Sequence, residues 1–134
     1  MPYVSTRGHT LLIPSGTSDN PDQSHLFVVI TAKCPANRHL LVNLTTIRAG
    51  VHHDPACIIE TGEHPFATER SFIAYRLART DHAEHLAKCV HGWLFRQKED
   101  VNPELLQRIC DGVLRSEFIK RADRAYFRRV TGAA

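Results

Sequence analysis

The chain has 134 residues, 43% of them hydrophobic, and a formal net charge of +3. That length suits one domain with a substantial core, and that apolar content excludes a disordered chain. The longest unbroken apolar run, residues 26–30, falls far short of the ~20 residues of a membrane span, and Met1-Pro2-Tyr3 opens no charged-then-apolar leader; a cytoplasmic protein is therefore expected.

Residues 1–76 read mostly as β. Residues 10–13 form a short apolar strand, and residues 14–24 a polar loop rich in turn formers. Two apolar runs follow, His25-Leu-Phe-Val-Val-Ile-Thr31 and Leu40-Leu-Val-Asn-Leu-Thr-Thr46, around a polar turn at Pro35-Ala-Asn-Arg38. That is the pattern of a buried β-hairpin. Residues 57–60 read as a fourth strand and residues 71–76 as a fifth, with Phe72 and Ala74 on one face and Ile73 and Tyr75 on the other. Short strands punctuated by turn residues suggest a small barrel or a strongly bent sheet.

Residues 77–130 read mostly as helix. Thr80 or Asp81 is expected to cap a helix running to about Val90, with Gly92 ending it. Asn102-Pro103-Glu104 is a helix start: cap, proline in the first turn, acid beside it. An apolar stripe of Leu105, Leu106, Ile109, Val113 and Leu114 follows, interrupted by Gly112, with a break near Ser116 and a restart carrying Phe118, Ala122, Ala125 and Tyr126. The expectation is one α+β domain over residues 1–134, strands first and two or three helices after.

Four groups of residues carry possible chemistry. His25, the adjacent hydroxyls of Thr45 and Thr46, and Arg48 gather at one end of the hairpin. Strand side chains alternate, so one of the two threonines is expected to face a cleft there. His52-His53-Asp54 and His64 offer turn histidines suited to phosphate binding, proton transfer or metal ligation. His82, His85 and Cys89 share a helical face by spacing; zinc would need a fourth ligand such as Cys110 or His91, and no paired ligand motif supports it. Residues 115–129 hold six cations against two carboxylates. In that stretch Lys120, Arg121, Arg124 and Arg128, with Tyr126 and Phe127 between them, suit a nucleic acid or an acidic partner. The four cysteines, Cys34, Cys57, Cys89 and Cys110, form no C-x-x-C pair and are expected to be reduced and mostly buried.

The first group also carries a family resemblance over residues 8–48. Small ribonuclease toxins of the MazF/PemK type have an early strand, a polar loop, a motif near R-P-x-V-V-I-S and a later V-V-P-I-T-S. Residues 24–31 are similar to the first motif and residues 42–46 to the second. The resemblance implies an SH3-like barrel and cleavage of single-stranded RNA without a metal or other cofactor. It also implies a homodimer and an antitoxin protein as partner. His25 stands at the family's arginine position, Thr45 or Thr46 supplies the hydroxyl, and Arg48 is placed to hold the phosphate. His64 is the reserve acid or base. The alternatives are a non-catalytic barrel module that binds protein or nucleic acid, and a metal-dependent hydrolase built on His52, His53, Asp54 and His64.

Overall fold

The computed structural model of the chain describes residues 3–15 and 23–133. Most of the expected loop at 14–24 lies outside them. The chain is α+β. Seven antiparallel strands are β1 (Thr10–Pro14), β2 (Ser24–Val29), β3 (Arg38–Thr46), β4 (Ile58–Ile59), β5 (Ser71–Ile73), β6 (Arg79–His82) and β7 (Arg96–Lys98). Three helices are α1 (Ala83–His91), α2 (Pro103–Arg115) and α3 (Arg121–Thr131).

The strand order is β4-β5-β3-β2-β1-β7, with β6 also on β3. The expected barrel is not seen: β4 and β7 end the path, and the sheet is open among the described residues. It is covered on both faces instead. Leu26, Val28, Leu40, Val42 and Leu44 pack with Leu105, Leu106, Ile109 and Val113 of α2 and Tyr126 and Phe127 of α3. Leu11, Ile13, Phe27, Val29 and Leu41 pack with Leu86 and Cys89 of α1 and with Phe95. Burial on both faces explains why residues 26–31 and 39–44 are continuously buried and read as unbroken apolar runs rather than alternating ones.

The expected fifth strand stops at Ile73, and Tyr75–Leu77 forms a 3-10 turn. The reason lies in α2. The Tyr75 hydroxyl donates to the Ile109 carbonyl at 2.6 Å, and a Cβ at Gly112 would meet that hydroxyl oxygen at 2.0 Å. Gly112 is therefore a notch for Tyr75, which accounts for a glycine inside an otherwise regular amphipathic helix.

Thr80 and Asp81 do not cap a helix. They lie in β6, which pairs with residues 38–41 of β3, whereas β5 reaches only Leu44 to Thr46. One long central strand takes two short partners along the same edge, and α1 begins only at Ala83. The unpredicted β7 is Arg-Gln-Lys on an open edge, where charge discourages further pairing. Asn102 caps α2 as expected, its side chain accepting from the Leu105 N–H at 2.8 Å. Cys57, Cys89 and Cys110 are buried, Cys34 is half-buried, and all four are free thiols. Among the described residues no helix is long and apolar enough to cross a membrane.

His39 is fully buried. Its Nδ1 donates to the Thr31 carbonyl at 2.8 Å, and its Nε2 accepts from the Ser5 hydroxyl at 2.6 Å. Burial pushes its pKa below the usual histidine value.

Two outcomes follow from these contacts. Gly112→Ala lowers stability by about 1–3 kcal/mol through overpacking, despite the better helix propensity of alanine; urea unfolding measures it, and an unchanged midpoint contradicts the notch. Unfolded His39 takes up a proton below about pH 6.5 that the native ring refuses, so stability is full above that pH and falls on acidification. The fall continues until the native ring also takes up its proton. Urea midpoints at pH 7.5 and 5.5 for the parent and His39→Gln check it: the difference shrinks in the variant.

Candidate active site

Extending the β2–β3 register by one residue sets His25 opposite Thr45, and Thr45 pairs in turn with Phe72 of β5. This row lies where β2 and β3 run out. Arg48 follows the end of β3, and the loop at 51–54 folds back over the row. Arg76 and Leu77 come from the 3-10 turn, and Phe118 from the α2–α3 junction. Together they enclose a cleft of about 460 Å³ lined by His25, Thr45, Thr46, Arg48, His52, His53, Asp54, Phe72, Arg76, Leu77 and Phe118, among others. The whole first group of candidate residues is thus in one cavity.

His25 is half-buried, and burial pushes its pKa down, towards the neutral ring. Its Nδ1 shares a 2.5 Å hydrogen bond with the Ser15 hydroxyl. Among the described residues its Nε2 has no partner. Thr45 donates to Asn43 Oδ1 at 2.9 Å, an acceptor that is itself buried. Thr46 has no side-chain partner among the described residues. Both threonines line the cavity, contrary to the expectation that only one would. The cavity lies across the end of the sheet, where β3 terminates, and so it meets residues of both faces.

The charge pattern is one-sided. Arg48 and Arg76 make no ion pair or hydrogen bond through their side chains among the described residues. The one carboxylate in the lining, Asp54, is buried and committed: Oδ1 accepts from the Ala56 N–H at 2.9 Å, and Oδ2 accepts from the Ser116 hydroxyl at 2.6 Å. The Ser116 hydroxyl also accepts from the N–H groups of Phe118 and Ile119. Asp54 therefore latches the His52–His53 loop to the helical layer. The rings above it lean on the cleft walls, His53 against Phe72 with centroids 5.3 Å apart and His52 edge-on to Phe118 at 5.7 Å. Among the described residues neither imidazole has a hydrogen-bond partner. The cleft thus presents unpaired guanidinium, hydroxyl and imidazole groups beside an apolar wall, a combination suited to a phosphodiester with an attached base.

The other candidate groups lie elsewhere. His64 is buried away from the cleft, its Nε2 donating to the Glu99 carbonyl at 2.6 Å and its Nδ1 accepting from the Phe66 N–H at 3.0 Å. Both of its nitrogens are thus tied to the main chain. Arg124 donates to the carbonyls of Val113 and Ser116 and so closes the end of α2. Lys120, Arg121 and Arg128 are exposed and do not line the cavity. His85 is held between Asp81 and the Cys89 sulfur, and His82 accepts from Arg38. Among the described residues no group of three or more His, Cys, Asp or Glu side chains is placed to hold a metal ion.

Arg76, Leu77 and Phe118 were not singled out from the sequence. Arg76 had a signal, since it sits two residues beyond Ala74 on the strand face that carries Phe72. Phe118 had none, because nothing local says that a helix junction returns to the sheet. No known family model matches the chain, and no curated protein matches it.

The Asp54–Ser116 contact is testable by itself. A double-mutant cycle with Asp54→Asn and Ser116→Ala yields a coupling of about 1–3 kcal/mol in unfolding free energy. Additive losses contradict the latch.

Proposed function

We propose that the chain is a small endoribonuclease that cleaves single-stranded RNA at this cleft through the substrate's own 2′-hydroxyl, without a metal, in the manner of MazF/PemK-type toxins. The observation that carries the proposal is the joint placement of His25, Thr45, Thr46 and Arg48 in one cavity whose only carboxylate among the described residues is already satisfied. Arg48 and Arg76 bind the phosphate, and a threonine hydroxyl donates to the oxygen on which charge develops. Neutral His25 accepts the 2′-hydroxyl proton at Nε2 as the 2′-oxygen attacks phosphorus. The bond from phosphorus to the 5′-oxygen breaks, and His53 acts as the acid that gives the leaving oxygen a proton. The products are a 2′,3′-cyclic phosphate and a 5′-hydroxyl. His53 replaces His64 in this role because it faces the cleft.

The SH3-like ancestry of the open sheet, an antitoxin partner, a homodimer and a cytoplasmic setting belong to the same proposal and rest on the resemblance. Exposed Lys120, Arg121 and Arg128 supply positive charge for RNA or for an acidic partner. The second reading, a binding module without catalysis, is favoured by one observation: His25-Leu26 stands where the family has arginine and proline.

In chelator, purified protein cleaves single-stranded RNA. His25→Ala and Arg48→Ala each lower kcat/KM by about 10²-fold or more, and Thr45→Ala with Thr46→Ala shows which hydroxyl participates. Equal cleavage by all variants overturns the site. Salt-sensitive binding without cleavage selects the binding module. A base must be unprotonated, and His25 titrates below the usual value. Activity therefore persists at pH 7 and is lost only at a pH below the usual histidine range, with the lost limb absent in His25→Ala.

A further inference from the structure

The turn between α1 and β7 presents the chain's only tryptophan to solvent. Trp93 is 80% exposed and has φ +63°, a left-handed conformation that bulky L-residues adopt only against steric resistance. Glycine is the usual occupant of that position past a helix end, yet Gly92 next to it keeps an ordinary φ of −83°. An exposed large aromatic and a strained backbone coincide at one residue, and both are unfavourable for folding alone. That coincidence points to a contact surface.

The surroundings describe the contact. Trp93 and Leu94 border a groove of about 360 Å³ with Leu12, Pro14, Ser24 and Arg96. Leu12 pairs with Arg96, and Pro14 with Ser24, so these four share one face of the sheet edge. Among the described residues no carboxylate lines the groove, and Arg96 makes no ion pair. Ser24 also lines a smaller depression that it shares with His25, Thr45, Thr46 and Arg48 of the cleft. Among the described residues the two depressions meet at Ser24, with Arg48 on the cleft side and Arg96 beside the exposed indole on the other.

We propose that Trp93, Leu94 and Arg96 form a stacking platform for single-stranded RNA flanking the phosphodiester bound in the cleft. Arg96 holds a backbone phosphate, and an unstacked base lies on the indole. Exposed aromatics interleaved with unpaired cations are how proteins grip single strands without sequence readout. A protein partner would equally value Trp93 but would not need an unpaired arginine on each side of a junction with the cleft at Ser24. The identity of the strand rests on the nuclease assignment above; the platform itself is read separately.

Because Trp93 is the only tryptophan, its fluorescence reports the platform directly. The probe is a 2′-O-methyl oligonucleotide, which has no attacking 2′-hydroxyl, added to the full chain in chelator. A strand of about ten nucleotides, long enough to leave the cleft, quenches the tryptophan emission, and one of about three nucleotides binds without quenching. Trp93→Ala weakens binding of the long strand roughly tenfold and raises KM rather than lowering kcat for the corresponding RNA. Binding of the long strand with unchanged emission, together with an unaltered KM in Trp93→Ala, overturns the platform even if RNA is cleaved. Quenching with no cleavage of RNA by the parent protein overturns the nuclease assignment and leaves the platform standing. Failure of the long strand to bind overturns the platform, and cleavage of RNA by the parent protein still decides the nuclease assignment.

Discussion

Burial of β3 on both faces is the constraint from which the rest of the molecule follows. From His39 to Leu44 every residue of this strand is buried. A strand buried on both faces needs a helical layer on each side and partners along both edges. One edge is filled by β2. The other is filled in two pieces, by β5 and β6. The gap between those pieces is where Tyr75 leaves the sheet and enters the Gly112 notch of α2. A single side chain thereby ties the interruption of the sheet to the docking of the helical layer.

The same constraint makes the cleft. Where β2 and β3 outrun their cover, the apolar run gives way to His25 on one strand and Thr45 and Thr46 on the other. Polar groups at the end of an otherwise apolar sheet sit against a dry wall, where hydrogen bonds and charges act more strongly than in water. Asp54 then brings the helical layer to the same place by bonding to Ser116. The helices are therefore part of the site, because Phe118 at their junction closes the cavity against His52. A small sheet alone would leave an open ledge.

Local patterns in the chain account for much of this and stop at identifiable points. The hairpin, the cap at Asn102 and the opposed faces of Phe72 and Tyr75 were legible because each depends on neighbours within a few residues. The start of α1 was misread because Asp81 has the chemistry of a cap, but tertiary pairing with β3 holds it in a strand. A charged three-residue edge strand such as β7 has no apolar pattern to reveal it. His64 illustrates the same limit for function. Nothing local distinguishes a histidine bonded to the Glu99 carbonyl from one facing a cleft, whereas His53 had the same sequence signal and does face it. Short strands and turns fit a barrel or a strongly bent sheet equally, because they do not record whether two edges meet; the barrel itself is what the family resemblance implies.

The central claim is that this cleft uses the RNA 2′-hydroxyl as its nucleophile. The most direct measurement places a single 2′-deoxy nucleotide immediately 5′ to a mapped cleavage position in an otherwise unmodified RNA. The account predicts that cleavage at that position disappears, while cleavage elsewhere continues and leaves 2′,3′-cyclic phosphate ends. Continued cleavage at the deoxy position, or products ending in a 5′-phosphate, would contradict it.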